Sequence, residues 1–316
     1  MGEFYGYFDG RFLPNPPPMS AGNLTVRLAV APEEVSAAQS LRNRVFCEEM
    51  NAIPSPEMQF LRSDFDSFDE ICDHLLVICD DRADLPCGVF GTYKILRRSI
   101  AMQSSGFHSS YEFDLTPLLD FEGEIMELGR SRVDPKHRNR PTMQLLWQAI
   151  ASYAQSYKIV VLFGCASLIG TEIKEMKLPL SYLYHYHLAP EEIRPKAIDC
   201  CFVELIWLPK DDIDSRLVWE KLPPLIKGFL RLGGFIGDGA VVDPEFNTTD
   251  VSIVVKTKLI TQIYFLHYER SAHRSSDRQS IELAHSGSAS TDLLYDFDGC
   301  PFANPDIGRF VLYKVD

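Results

Sequence analysis

Apolar positions along the chain switch between two periods, and the switching predicts alternating strands and helices. Residues 24–30 (Leu-Thr-Val-Arg-Leu-Ala-Val) alternate with period two, as a half-buried strand does. Residues 33–50 carry Val35, Ala38, Leu41, Val45 and Phe46 at helical spacing, and Pro32 suits the first turn. Two strands are predicted at about 74–80 and 87–97, joined by an Asp-Arg-Ala-Asp turn. A short helix at 114–119, capped by Asp114 or Thr116, precedes a strand at 124–133. The helix at 142–157 buries Leu146, Ala149, Ile150, Tyr153, Ala154 and Tyr157. Residues 159–166 form a continuous apolar run, the mark of a central strand. Next come a helix at 171–186, a strand at 201–208, and a helix within 216–232 that restarts after Pro223 and Pro224. Strands at 234–242 and 250–257 and a helix at 259–268 complete the series.

This order implies a mixed α/β fold with one main domain over residues 23–270. Residues 1–22 hold Pro14, Pro16, Pro17 and Pro18 with little periodicity, which predicts an irregular arm. Residues 271–316 are rich in Ser, His, Arg and Asp and read as a largely irregular tail, with Phe310-Val311-Leu312-Tyr313 able to dock. No internal repeat is present.

Composition narrows the class. The chain has 316 residues, 46% of them hydrophobic and 24% charged, as in a soluble globular protein. No window reaches eighteen consecutive apolar residues, so a spanning helix is not expected. The start Met1-Gly2-Glu3-Phe4-Tyr5-Gly6 lacks the basic and apolar regions of a secretory signal, so a cytoplasmic location is expected. Eight cysteines show no paired framework and no zinc spacing, and they read as reduced, mostly buried thiols. The net charge of −13 argues against a nucleic-acid partner.

Positive charge is nevertheless concentrated. Arg130, Arg132, Lys136, Arg138 and Arg140 fall within eleven residues, opposed by Asp134 alone. They follow Glu127, a carboxylate inside an apolar strand, where an unpaired charge is expensive to bury. Two readings stand: Glu127 is a general base, or it is a structural ion pair with Arg130 or Arg132. Strict alternation puts residues 127 and 129 on one face and 128, 130 and 132 on the other, unless a bulge intervenes. Gly129 is where a bulge would be tolerated.

The basic loop Asp134-Pro135-Lys136-His137-Arg138-Asn139-Arg140-Pro141 is either a solvated turn or an anion site completed by the next helix N-terminus. It lacks glycines that would let backbone amides cradle a pyrophosphate. Asn139, Arg140 and Pro141 stand in their place, which favours one phosphate held by guanidinium groups. Asp64, Asp66 and Asp69 alternate with Phe65 and Phe68; they lack the Gly and terminal Glu of a calcium loop, leaving a solvated loop or a site for a cationic amine. The run Gly233 to Gly239 is not a dinucleotide fingerprint, and Cys165 and Ser167 lack a nucleophile-elbow pattern. No metal site is expected.

Several separated motifs carry a resemblance. Leu41-Arg42-Asn43-Arg44-Val45-Phe46 with Glu48-Glu49-Met50, and the acids Asp64, Asp66 and Asp69, resemble the acyl-homoserine-lactone synthases and their relatives. Glu127-Leu128-Gly129-Arg130-Ser131, Leu162 to Ser167, Leu222 to Gly228 and Phe246 to Val251 resemble one branch, the bacterial L-ornithine N-alpha-acyltransferases. The resemblance spans roughly residues 24–270. It implies a GCN5-related N-acyltransferase fold, a central mixed sheet flanked by helices, and makes residues 23–270 the acyltransferase domain. It implies transfer of a 3-hydroxyacyl chain from acyl carrier protein to the α-amino group of L-ornithine, with no bound cofactor beyond the carrier's phosphopantetheine arm. In that scheme Glu127 is the base and amides near Gly129 meet the oxyanion. Arg130, Arg132, Arg138 and Arg140 hold the donor, and Asp64, Asp66, Asp69 and Arg44 hold the acceptor. Three rivals stay open: a homoserine-lactone synthase using S-adenosylmethionine, an acetyl-CoA-dependent N-acetyltransferase, and a non-catalytic acyl-binding protein. The last would lay residues 219–232, with Lys221, Lys227 and Arg231, on an anionic membrane surface as a peripheral contact.

Overall fold

The computed structural model describes residues 5–8, 11–79, 81–82 and 84–258. In chain order the elements are β1 (Tyr5–Phe8), β2 (Arg11–Pro14), β3 (Met19–Ala21), β4 (Leu24–Leu28), α1 (Pro32–Glu49) and α2 (Pro56–Leu61). Then come β5 (Asp73–Cys79), β6 (Val89–Arg97), α3 (Arg98–Ala101), β7 (Phe113–Asp114), α4 (Thr116–Leu119), β8 (Glu124–Val133) and α5 (Arg140–Ser156). The rest are β9 (Ile159–Ile169), α6 (Ile173–His187), β10 (Lys196–Ala197), α7 (Ser215–Lys221), α8 (Pro224–Arg231), β11 (Phe235–Asp243) and β12 (Thr248–Lys256).

Ten of these strands form one mixed sheet in the order β3-β4-β5-β6-β8-β9-β12-β11-β10-β7. Its central pair, β8 and β9, runs parallel, and the crossover between them is α5. Pro141 at the start of α5 and the Asn139 side chain, which accepts the Thr142 N–H, fix where that helix begins. The α5 face of the sheet is closed by Leu75, Tyr93, Met126 and Leu128 packed with Leu146 and Ile150. On the other face α1 packs Leu41 and Val45 against Leu76, Ile78 and Val89. A separate cluster, including Phe107, Phe113, Ile125 and Phe163, covers the middle of that same face. A cleft lies between these two packings, lined by Val45 and Phe46 of α1 and by His108 and Ser109 beside Phe107.

Three expectations are corrected. The proline-rich arm is not irregular throughout: β1 and β2 pair as an antiparallel hairpin and β3 joins the sheet edge. Pro14 is the last residue of its strand, and Pro16 to Pro18 lie between strands, outside any ladder. Residues 201–208 do not form a strand; only Val203 bridges to Ala240, while Ser181 Oγ accepts the Trp207 and Leu208 N–H groups. Those amides therefore find a side-chain partner instead of a neighbouring strand. Residues 51–70 are not all loop, because α2 and a turn of 3-10 helix at Ser67–Glu70 lie within them. The helix expected at 259–268 and the tail from 271 fall outside the described residues.

Candidate active site

Glu127 stands where the two central strands part. β8 and β9 pair in parallel from Glu124 to Glu127, with Glu127 opposite Phe163, and the pairing then stops. The carboxylate is 5% exposed and has no ion pair among the described residues. It is held by donors from the 3-10 turn at 108–111 instead. The His108 N–H donates to Oε2 at 2.9 Å, the Ser109 N–H donates to Oε1 at 2.7 Å, and the Ser109 hydroxyl donates to Oε1 as well. Burial pushes the carboxyl pKa up and outweighs these hydrogen bonds, which pull it down.

A bulge places the rest of the site. Leu96, Lys94 and Thr92 of β6 face Glu127, Gly129 and Arg132 of β8, so Arg130 and Ser131 together oppose Tyr93. The extra residue shifts the alternation. Arg132 thus shares a face with Glu127 and Gly129, where strict alternation puts it on the opposite one. The left-handed residue is Arg130 (φ +50°), not Gly129. A Cβ placed on Gly129 would meet nothing within 4 Å, so the cleft floor is open there. At Gly164 the reverse holds: a Cβ would lie 2.2 Å from the Leu128 carbonyl oxygen, and only glycine lets β9 come this close to β8.

The cleft encloses about 360 Å³. One wall is apolar, built by Leu128, Ile169, Leu225, Phe229 and Ile253. A cationic wall faces it. The Arg132 guanidinium lies 3.9 Å from the Phe46 ring centre, has no carboxylate partner among the described residues, and is lowered to about pKa 10 mainly by desolvation. Arg130 sits over Phe246 and pairs with Asp66 at 3.5 Å and Asp64 at 3.9 Å. Arg138 lines the cleft while bonded to Glu49 at 2.6 Å and to the Val133 carbonyl. Arg140 opens α5, and its side chain lies outside the described part.

The acidic residues of the 51–70 segment are engaged within the protein. Arg42, fully buried, donates to both Asp69 oxygens at 2.9 and 2.8 Å and to Asp64 Oδ2 at 2.7 Å. Lys94 reaches Asp66 at 2.5 Å and Asp69 at 3.3 Å. These cations hold the Asp69 and Asp66 carboxyls below the usual range, overcoming burial. Arg44 points elsewhere, to Asp134 at 2.7 Å, and does not line the cleft. Helical geometry separates the two arginines: Arg42, Val45 and Phe46 share one face of α1, and Arg44 does not.

A third group was not expected from the sequence. Cys165, Ser167, Asp250 and Asp243 lie on the sheet face of Glu127, as the registers Phe163–Val254, Ser167–Asp250 and Thr248–Asp243 require. Glu112 follows the 108–111 turn, and its Oε2 accepts from the Cys165 thiol at 3.2 Å. Cys165 Sγ also lies 3.3 Å from Ser109 Oγ, so one chain of polar atoms links Glu112 to Glu127. Burial and the neighbouring Asp250 charge push Glu112 up to about 7, and burial pushes Asp250 up to about 6. Glu112, Asp243 and Asp250 offer ligand atoms within 4.8 Å of one another, so a cation of some kind fits there. Asp250 gave the same sequence signal as Glu127, an acid inside an apolar strand; Ser109 and Glu112 gave none. Burial of the cysteines is less complete than expected: of the described ones only Cys79 is fully buried, and none is in a disulfide. No described helix is long and apolar enough to cross a membrane.

Comparison with known proteins places this geometry. The acetyltransferase (GNAT) domain family matches residues 41–148, which run from α1 through β8 into α5. The L-ornithine N(alpha)-acyltransferase of Agrobacterium fabrum is 40% identical over 256 residues, 80% of this chain and 87% of that protein. That of Rhizobium meliloti is 41% identical over 257 residues, with the same shares covered. FeeM, an N-acyl amino acid synthase from uncultured soil microbes, aligns with a TM-score of 0.41 at 12% identity, over 77% of this chain and 93% of that one. The mixed sheet flanked by helices is the GNAT architecture, and the chain belongs to the L-ornithine N(alpha)-acyltransferase family of N-acyltransferases.

Proposed function

We propose that this protein transfers a 3-hydroxyacyl chain from acyl carrier protein to the α-amino group of L-ornithine, giving lyso-ornithine lipid, with Glu127 as general base. The observation that carries the chemistry is Glu127 itself. It is a buried carboxylate at the strand gap, without an ion pair among the described residues, and burial raises its pKa toward that of a useful base. The relatives' names support ornithine as the acceptor.

An ammonium cannot attack a thioester. Glu127, directly or through a water, takes one proton from the α-ammonium. The freed nitrogen attacks the thioester carbonyl, and the C–N bond forms as the carbonyl oxygen becomes an oxyanion. Backbone amides of β8 at Gly129 and the bulge, beside the gap, meet that charge. Collapse of the adduct breaks the C–S bond, and the second amine proton leaves with the thiolate as the carrier's free thiol. Arg132, Arg138 and Arg140, with the N-terminus of α5, hold the single phosphate of the pantetheine arm or the acidic carrier surface, and Arg130 closes the same wall. The apolar wall takes the acyl chain.

The test is Glu127→Gln in the full chain, assayed with 3-hydroxyacyl carrier protein and L-ornithine, with mass spectrometry of the product. The expected result is a folded variant with turnover reduced by about 10²–10⁴. Unchanged transfer at neutral pH would remove Glu127 from the base role. Turnover with acyl-CoA at the carrier's efficiency would remove the carrier as the preferred donor.

A further inference from the structure

Glu112, Asp243 and Asp250 form the other charged corner of the cleft, and all three line it. One carboxylate oxygen from each lies within 4.8 Å of the other two. No arginine or lysine among the described residues pairs with any of them. Asp250 is 7% exposed; the Ser167 and Thr248 hydroxyls approach its carboxylate, but its Oδ1 is buried without a hydrogen bond of good geometry. Three acids crowded without an ion pair, reached only at longer range by the charges of Arg130 and Arg132, and one of them with an orphaned oxygen, are an incomplete electrostatic arrangement. The contrast with Asp64, Asp66 and Asp69 is direct, because Arg42, Lys94 and Arg130 already neutralise those three.

We propose that Glu112, Asp243 and Asp250 bind the side-chain ammonium of the acceptor amino acid and so select a basic acceptor. This rests on the acyl transfer to an amino acid proposed above. The geometry suits it. Glu112 connects to Glu127 through Cys165 and Ser109, three hydrogen-bond lengths in all. The two amino groups of an extended ornithine lie about 6 Å apart, from ordinary bond lengths. One end therefore sits at the carboxylate cluster while the other meets the base. An ammonium carries three donors and no acceptor, which matches three converging carboxylates. A hard divalent metal, its shell completed by water, is the competing occupant, although the adjoining cleft wall adds only the Cys165 thiol and the apolar Ile253.

The experiment titrates the full-length protein calorimetrically with L-ornithine and with L-norvaline, which has the same carbon skeleton and no side-chain nitrogen. The expected result is that ornithine binds about tenfold tighter or more, as for a charge-assisted hydrogen bond. Glu112→Gln, Asp250→Asn and Asp243→Asn should each reduce that ratio. Asp243 is only half-buried, so its variant keeps the test usable if a change at buried Asp250 disturbs folding. Equal binding of the two ligands by the wild type, or a ratio that survives in every folded variant, overturns the proposal. A cluster-dependent rise in Tm with millimolar Mg²⁺ or Ca²⁺ that displaces ornithine also overturns it, by making the site a metal site. A cluster-dependent preference without any acyl transfer to ornithine would sink the proposed reaction and leave the ammonium site standing.

Discussion

Ser109 holds Glu127 twice, through its backbone N–H at 2.7 Å and through its hydroxyl, both aimed at Oε1. These bonds favour the ionised carboxylate, against a burial that favours the protonated one. Ser109→Ala removes only the hydroxyl. The charged form then loses a donor, so the Glu127 pKa rises further and the proposed base is free only at higher pH. The acidic limb of kcat/KM should move to higher pH by about one unit, with activity recovering above it. A pH–rate profile of the variant checks this; an unmoved limb would mean that another group controls it.

Glu112 and Asp250 make stability depend on pH in the opposite sense to most carboxylates. Their pKa values are raised, to about 7 and about 6, from ordinary values of 4.5 and 3.8. The folded state binds their protons more tightly than the unfolded chain does. Their contribution is therefore fully present below about pH 4 and is lost as pH rises through 6 and 7. Glu112→Gln abolishes its share of this loss and should raise the unfolding free energy, and with it Tm, more at pH 8 than at pH 5, by on the order of 1–3 kcal/mol of stability. Thermal unfolding of both proteins across pH 5–8 measures it.

The helices and strands around the site were legible because their periodicity is carried by apolar residues that pack. The position of Arg132 was not, although the need for a bulge was. Register depends on how β6 meets β8, and no local signal says that Arg130, with a side chain, takes the left-handed backbone in place of Gly129. Its partners explain the choice, since Asp64, Asp66 and the rings of Phe46 and Phe246 hold the guanidinium in place. Such partners, distant in sequence, offset a left-handed cost of about 1–2 kcal/mol. Ser109 and Glu112 were illegible for a related reason: their segment has no periodicity, and only the fold brings it over Glu127.

Arg42 and Asp69 are both buried and paired, so the loss of that pair should appear in stability. Asp69→Asn leaves the buried Arg42 and Lys94 with a charge uncompensated, which costs about 3–5 kcal/mol when one partner of a buried pair is removed. The Asp69 carboxyl is held low, so its contribution is present above its ordinary pKa of 3.8 and is lost as pH falls through the lowered value. Urea unfolding should show the deficit at pH 7 and a much smaller one at strongly acid pH. A variant as stable as the wild type at pH 7 would show that Arg42 finds another partner.

Two glycines of the cleft should answer in opposite ways to the same substitution. Gly129 has no left-handed backbone and open space where a Cβ would go, so Gly129→Ala should keep or raise stability, by up to about 1 kcal/mol. Its methyl group would project into the cleft beside Glu127, where the proposed mechanism brings the thioester. Transfer should therefore fall at least about tenfold, since small misplacements of reacting groups are expensive. Gly164→Ala sets a methyl 2.2 Å from the Leu128 carbonyl, which is backbone and cannot swing away. The parting of β8 and β9 must then deform, at about 1–3 kcal/mol or more. Tm and kcat/KM measured on both variants separate the cases: activity lost without stability at Gly129, and stability lost at Gly164. Full activity in Gly129→Ala would mean that the donor does not pass over the strand gap.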